Sequence, residues 1–153
     1  MHILLDGNRV RDEILDELRP RVEAVRQALG RPPGLAVILA GDHAASAVYV
    51  RSKTKTAAAL GILSETLTEP ASVTTAELLR TFATLNARPE IDAILVQLPL
   101  PAGVDAPKCL LAVLPTKDVD GFHPVNVGNL STGRPGPRPC TPAGVIELLK
   151  RYK

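Results

Sequence analysis

The chain has 153 residues, of which 45% are hydrophobic and 22% charged, and its formal net charge at pH 7 is +2. This length and composition fit one folded domain and exclude an intrinsically disordered chain. The small charge and an aromatic content of 3% without tryptophan argue against a nucleic-acid partner, and no apolar run approaches the ~20 residues of a membrane span.

The first third of the chain combines a short apolar segment with a long helical pattern. The segment from Ile3 to Leu5 is compatible with an edge strand. Apolar residues at helical spacing from Val10 to Leu29 then predict a long amphipathic helix. We expect this helix to break or kink near Pro20 and to end at Gly30.

Strand and helix patterns alternate in the middle of the chain. The predicted segments are strands at 35–40, 62–67 and 93–97, a helix at 44–60, and a helix capped by Thr74 or Thr75 that runs to about Asn86. This alternation is typical of a mostly parallel sheet with right-handed crossovers. The predicted fold class is therefore α/β, a three-layer α/β/α arrangement with a small, mostly parallel sheet of about four strands.

Beyond Pro101 the chain is rich in proline and glycine, and most of it is predicted as ordered loop. A short helix is expected from about Ala106 to Ala112. A charged loop follows at 115–124, and glycine and proline continue to Pro139. Thr141 is expected to cap a last helix from Pro142 to Tyr152.

The strand at 93–97 ends in Gln97, just before two prolines that must stop the sheet ladder. Open α/β sheets bind ligands at the carboxyl ends of their strands, so this amide is a candidate ligand contact. Taken alone, Gln97 is better explained as an amide that satisfies nearby backbone groups.

Three polar residues, Ser46, Tyr49 and Lys53, share one stripe of the helix at 44–60 because their spacing is i, i+3, i+7. The helix begins at the edge where Gln97 emerges, so Ser46 in its first turn is expected near that edge. A lysine on this mostly apolar helix could be partly desolvated and oriented by the phenol and the amide. A solvated lysine beside a core tyrosine explains the same pattern.

Two carboxylates, Asp118 and Asp120, flank Val119 in the charged loop. In an extended loop they point to opposite sides, so only one is expected to face a site. That carboxylate could hold the N–H edge of a heterocycle through charge-assisted hydrogen bonds. A simple turn with Gly121 at positive φ is the alternative interpretation.

The histidines and cysteines show no metal-binding pattern. His43 and His123 stand alone in loops, and Cys109 and Cys140 have neither metal spacing nor a CxxC motif. Cys140 precedes a helix N-terminus, where a thiolate is stabilised, but we interpret it as a structural thiol because no catalytic His–Cys pair is recognisable. With no signal peptide evident, the sequence predicts a cytoplasmic protein with free thiols.

Four motifs occur together in a fixed order, at residues 46–53 (SAVYVRSK), 94–101 (ILVQLPLP), 117–122 (KDVDGF) and 139–144 (PCTPAG). In this combination the chain resembles the bifunctional methylenetetrahydrofolate dehydrogenase/methenyltetrahydrofolate cyclohydrolase family (the FolD type). The resemblance covers essentially the whole chain but only the front half of that architecture. It implies a tetrahydrofolate-binding catalytic domain over residues 1–153, with a fold like the N-terminal domain of amino-acid-dehydrogenase-type enzymes.

The resemblance also implies roles for individual residues. Lys53 matches the catalytic lysine, Tyr49 the tyrosine that stacks on the folate ring system, and Gln97 the glutamine that hydrogen-bonds the lysine. Asp120 matches the aspartate that recognises the pterin, and Ser46 matches a residue near the lysine. The further substrate contacts that it implies are Val50, Val96, Leu98 and Pro99.

The chemistry implied is oxidation of 5,10-methylenetetrahydrofolate with NADP+, followed by hydrolysis of the methenyl product to 10-formyltetrahydrofolate. Family members bind NADP with a Rossmann domain that we expect to be absent from this chain, which also lacks a phosphate-cradling glycine motif. The isolated chain is therefore expected to show little or no dehydrogenase activity, and no metal is expected. The full-length enzyme is expected to be a homodimer.

Two alternatives stay open beside this hypothesis. The first is a folate-binding or interaction module without turnover. The second is the substrate domain of an amino-acid- or shikimate-type dehydrogenase, against which the motifs at 117–121 and 139–142 argue.

Overall fold

A computed structural model describes residues 4–153 and contains a three-stranded parallel sheet. Its strands are β1 (Gly34–Ala40), β2 (Leu63–Glu69) and β3 (Ala93–Gln97), in the order β2–β1–β3. All three were predicted, and β2 lies at an edge as its polar content suggested. The additional strand considered at Ile3 to Leu5 falls partly outside the described residues, and Leu4 and Leu5 are not in a strand.

Six helices accompany the sheet within residues 4–153. They are α1 (Gly7–Leu29), α2 (Ala44–Ala59), α3 (Thr75–Ala87), α4 (Ala106–Ala112), α5 (Pro124–Ser131) and α6 (Cys140–Arg151). Each of these helices is too short or too polar to cross a membrane.

Three predictions about helices need correction. The predicted break at Pro20 is wrong, because α1 is continuous, whereas a kink there stays a prediction. Pro20 is exposed, so water can satisfy the carbonyl that loses its partner. Helix α5 lies where a loop was predicted, with Pro124 at its first position. Helix α6 begins at Cys140 and has no side-chain cap, so Thr141 does not cap it. Pro142 fits inside its first turn because the first N–H groups of a helix lack intrahelical partners.

The core lies on both faces of the central strand β1, which confirms the three-layer α/β/α fold. On one face Ile38 and Ile94 pack with Phe82 of α3 and Cys109 of α4. The other face is smaller; Val37, Leu39 and Leu95 pack with Val50 of α2. Helix α2, which carries the predicted lysine stripe, is thereby held against the sheet.

The loop that follows α4 is fastened to the outer edge of β3. The Ile94 N–H donates to the Lys117 carbonyl (2.7 Å), and the Val119 N–H donates to the Ile94 carbonyl (3.4 Å). The Lys117 ammonium donates to three carbonyls at the end of α3, those of Leu85, Asn86 and Arg88. These bonds satisfy terminal helix carbonyls and hold residues 117–119 at a defined position beside β3.

Candidate functional site

A cleft of about 500 Å³ opens at the carboxyl end of β3. One wall comes from α2 and β3, and the other comes from the loop after α4 and from the start of α6. Its lining residues are Tyr49, Lys53, Val96, Gln97, Leu98, Asp120, Phe122, Pro139, Cys140, Thr141 and Pro142. The cleft therefore draws on all four sequence motifs, although they are far apart in the chain.

A direct hydrogen bond joins Lys53 to Gln97. The Lys53 ammonium donates to Gln97 Oε1 over 3.2 Å, and Gln97 Nε2 donates to the Leu98 carbonyl over 2.8 Å. One end of the amide thus satisfies backbone, as the simpler interpretation required, while the other end holds the lysine. This pair of bonds fixes the amide with its oxygen towards Lys53.

Tyr49 lies on the same wall as Lys53 and is 64% exposed. It is therefore not the core residue that the alternative interpretation of the α2 stripe required. An exposed aromatic face beside the Lys53–Gln97 pair can stack on a planar ligand.

Asp120 faces Lys53 from the opposite wall, and its carboxylate has no hydrogen-bond partner among residues 4–153. Burial raises the pKa of Asp120, the charge of Lys53 lowers it, and the charge of Asp118 raises it further. A partly desolvated, unpaired acceptor of this kind is suited to binding the N–H groups of a ligand. Asp118 points the other way and is 7% exposed, which confirms that only one of the two aspartates faces the cleft. Gly121, the next residue, has φ +67°, as the turn interpretation expected.

Three residues proposed as substrate contacts do not line this cleft. Ser46 is 4% exposed, with its hydroxyl 3.4 Å from His43 Nδ1. Val50 is buried in the smaller core cluster. Pro99 lines a separate cavity of about 350 Å³ that also includes His43, and the peptide bond before Pro99 is cis.

Several lining residues were not predicted as site residues, namely Phe122, Pro139, Cys140, Thr141 and Pro142. Their signal was present, since all five fall within the third and fourth motifs. Cys140 is exposed on the cleft wall, whereas Cys109 is the buried thiol. Partial desolvation of its sulfur and the nearby charge of Asp120 raise the pKa of the Cys140 thiol, while the charge of Lys53 lowers it.

No group of three or more His, Cys, Asp or Glu side chains in the described part of the chain could hold a metal ion. The polar groups that converge on the cleft are instead an ammonium, an amide and a carboxylate.

Comparisons with known proteins identify the family to which the chain is similar. Residues 5–120 match the family described as tetrahydrofolate dehydrogenase/cyclohydrolase, catalytic domain. A protein named bifunctional protein FolD, from Solibacter usitatus, is 62% identical over 148 residues, which cover 97% of this chain and 48% of that protein. The chain thus spans about half the length of the curated relatives it matches.

Solved structures give the same picture. The bifunctional FolD enzyme from Campylobacter jejuni is 43% identical with a TM-score of 0.92, and the match covers 98% of this chain and 53% of that one. A Trypanosoma brucei methylenetetrahydrofolate dehydrogenase-cyclohydrolase, solved with NADP cofactor and inhibitor, is 38% identical with a TM-score of 0.92, over 98% of this chain and 52% of that one.

Proposed function

The chain belongs to the tetrahydrofolate dehydrogenase/cyclohydrolase family, and from that premise we propose that residues 1–153 form its tetrahydrofolate-binding catalytic domain. The observation that carries the proposal is the Lys53–Gln97 hydrogen bond of 3.2 Å, which lies in a cleft shared with Tyr49 and Asp120. In this arrangement the ring of Tyr49 stacks on the folate ring system. Asp120 accepts hydrogen bonds from the amino and N–H groups of the pterin.

The proposed cyclohydrolase step begins when water attacks the methenyl carbon of 5,10-methenyltetrahydrofolate. The neutral amine of Lys53 accepts a proton from that water, the bond from the carbon to N5 breaks, and N5 takes up a proton. The formyl group stays on N10, and one proton is released overall. A charged ammonium could not accept that proton and would repel the cationic substrate, so the proposed step requires the amine in its neutral form, with Gln97 holding its nitrogen in place.

The proposed dehydrogenase activity would need NADP, which would supply the hydride acceptor when bound. The described residues do not fit that cofactor, since the converging groups are Lys53, Gln97 and Asp120 and no glycine-rich strand–loop–helix is present to cradle a pyrophosphate. The part that this chain takes is therefore to bind and orient the folate. We expect the 153 residues alone to show little or no dehydrogenase activity.

A folate-binding module without turnover is the second candidate. The observation that favours it is the exposure of both Lys53 and Tyr49, which leaves the cleft open to water on one side. Cytoplasmic location and a homodimeric full-length enzyme stay predictions.

The proposed function can be tested with the chain itself and with a chimera. Calorimetric titration of the chain with 5-formyltetrahydrofolate, a stable reduced folate, tests binding. The chimera joins this chain to the second half of the Solibacter usitatus relative, and absorbance assays follow both activities. Binding by the chain together with both activities in the chimera supports the enzyme. Binding with an inactive chimera favours the module, and no binding would contradict both.

Asp120→Asn should weaken binding of 5-formyltetrahydrofolate about 10- to 150-fold, because it replaces charge-assisted hydrogen bonds. Since the pKa of Asp120 is raised, binding to the unsubstituted chain should weaken as the pH falls through that pKa, and the variant should lose this dependence. Keeping Asp120 ionised in the fold lowers the free energy of unfolding. This penalty is fully present above the folded pKa of Asp120 and disappears below its unfolded pKa. The variant should therefore be at least as stable at pH 7.

The control is Asp16→Asn on α1, an exposed carboxylate away from the cleft. It should leave both the affinity and its pH dependence unchanged. An Asp120→Asn chain that binds the folate with normal affinity would show that Asp120 does not recognise the pterin.

A further inference from the structure

We propose that Asp118 and Asn126 are positioning residues of the folate site, which lock the loop that presents Asp120 to the ligand. The inference rests on the proposed function and adds two residues that do not touch the cleft. Both are almost completely buried, at 7% and 4% exposure, and they are connected by a hydrogen bond.

Asp118 closes the loop on itself. Its Oδ2 accepts hydrogen bonds from the His123 N–H (2.8 Å) and from Asn126 Nδ2 (2.9 Å). The first of these bonds spans Asp120 and Gly121, so it joins the two ends of the turn that carries the ligand-facing carboxylate. A buried carboxylate with charge-assisted bonds holds such a turn more firmly than a neutral side chain would.

Asn126 connects this turn to α5. Its Nδ2 donates both to Asp118 and to the Pro115 carbonyl (2.9 Å), so one amide ties together the start of the loop, the aspartate and the helix. On its other side the loop is fastened to β3 through Ile94. Asp120 is therefore held between two anchored segments, and the orientation of its carboxylate depends on both.

Asp118 also acts on Asp120 through its charge. The groups that act electrostatically on the Asp120 carboxylate are Lys53 from α2, which lowers its pKa, and Asp118 from the same loop, which raises it. The thiol of Cys140 from α6 faces the same cleft and is itself affected by the charge of Asp120. Removing the charge of Asp118 should consequently lower the pKa of Asp120, whereas removing the Asn126 amide should not.

Two variants separate these effects. Asp118→Asn should weaken binding of 5-formyltetrahydrofolate at pH 7 about tenfold, because the hydrogen bonds from His123 and Asn126 lose their charge assistance and the turn loosens. At low pH the affinity falls as Asp120 becomes protonated, and we call this part of the profile the acid limb. Asp118→Asn should also move the acid limb to lower pH. Asn126→Ser should weaken binding by a similar factor without moving that limb. Calorimetric titration from about pH 4.5 to about pH 8, a range that spans the titration of a carboxyl with a raised pKa, measures both quantities, and circular dichroism melts report folding.

The matched control is Thr74→Ala, which breaks the capping box at the start of α3, away from the loop. It should lower the melting temperature and change neither the affinity nor the acid limb. Normal affinity and an unmoved limb in Asp118→Asn would overturn the positioning role while leaving the proposed function intact. If Asp118→Asn does not fold, unchanged affinity in Asn126→Ser overturns it. Absence of binding by the unsubstituted chain would overturn the proposed function and the positioning role with it.

Discussion

Lys53→Met should slow hydrolysis of 5,10-methenyltetrahydrofolate by about 10²- to 10⁴-fold, the range that a positioned acid–base group supplies. Methionine matches the apolar stem of lysine as far as Cε but lacks the terminal nitrogen, so it cannot accept a proton from water. The substitution removes the hydrogen bond to Gln97 but leaves Tyr49 and Asp120, the proposed folate contacts, in place. Binding of 5-formyltetrahydrofolate should therefore change little. The expected signature is therefore a fall in kcat with a nearly unchanged Kd.

The measurement uses the chimera with the second half of the Solibacter usitatus relative, so that an open cleft does not limit the rate. Decay of the methenyl absorbance gives the hydrolysis rate, and calorimetry gives the affinity. Lys55→Met is the control, because Lys55 is an exposed lysine of the same helix that does not line the cleft. If Lys53→Met hydrolysed the substrate as fast as Lys55→Met, Lys53 would not be the proton-transfer group.

The strands and the helices that cover them could be predicted because their patterns are local. Apolar runs mark β1 and β3, and helical spacing with a capping threonine marks α3. Helix α5 could not be predicted in this way. It is short, contains Gly128 and buries mainly Asn126, which is a polar residue. Its stability depends on contacts with the 115–118 segment, and no periodic pattern reports those contacts.

Some residues of the candidate site could likewise be predicted from local patterns, and others could not. Gln97, Lys53 and Tyr49 could be placed together because a strand end and a helical stripe determine where side chains point. The burial of Ser46 and Val50 could not be predicted, because adjacent positions on one helix differ in whether they meet the core or the cleft. The far wall at 139–142 depends on how a proline-rich loop packs against Gly121, which is a long-range contact.

Gly121→Ala should destabilise the chain and weaken folate binding together. Gly121 has φ +67°, and a Cβ atom there would lie 2.8 Å from the carbonyl oxygen of Pro137, which is backbone and cannot rotate away. The left-handed conformation costs an alanine roughly 1–2 kcal/mol, and the clash should add about 1–3 kcal/mol. Relief of the clash must move either the Asp120 turn or the loop that leads to Pro139. Both carry cleft walls, so affinity for 5-formyltetrahydrofolate should fall about tenfold or more.

Gly133→Ala isolates the conformational cost, because Gly133 has φ +70° but a Cβ atom there would meet no atom of residues 4–153 within 4 Å beyond its chain neighbours. It should lose only the roughly 1–2 kcal/mol of the left-handed conformation and should bind the folate normally. Urea unfolding gives the two free energies, and calorimetry gives the two affinities. Equal losses of stability in the two variants, with normal binding in both, would show that the contact between Gly121 and Pro137 does not fix the relative position of the two segments that line the cleft. A larger loss confined to Gly121→Ala would tie the shape of the folate site to this one backbone contact.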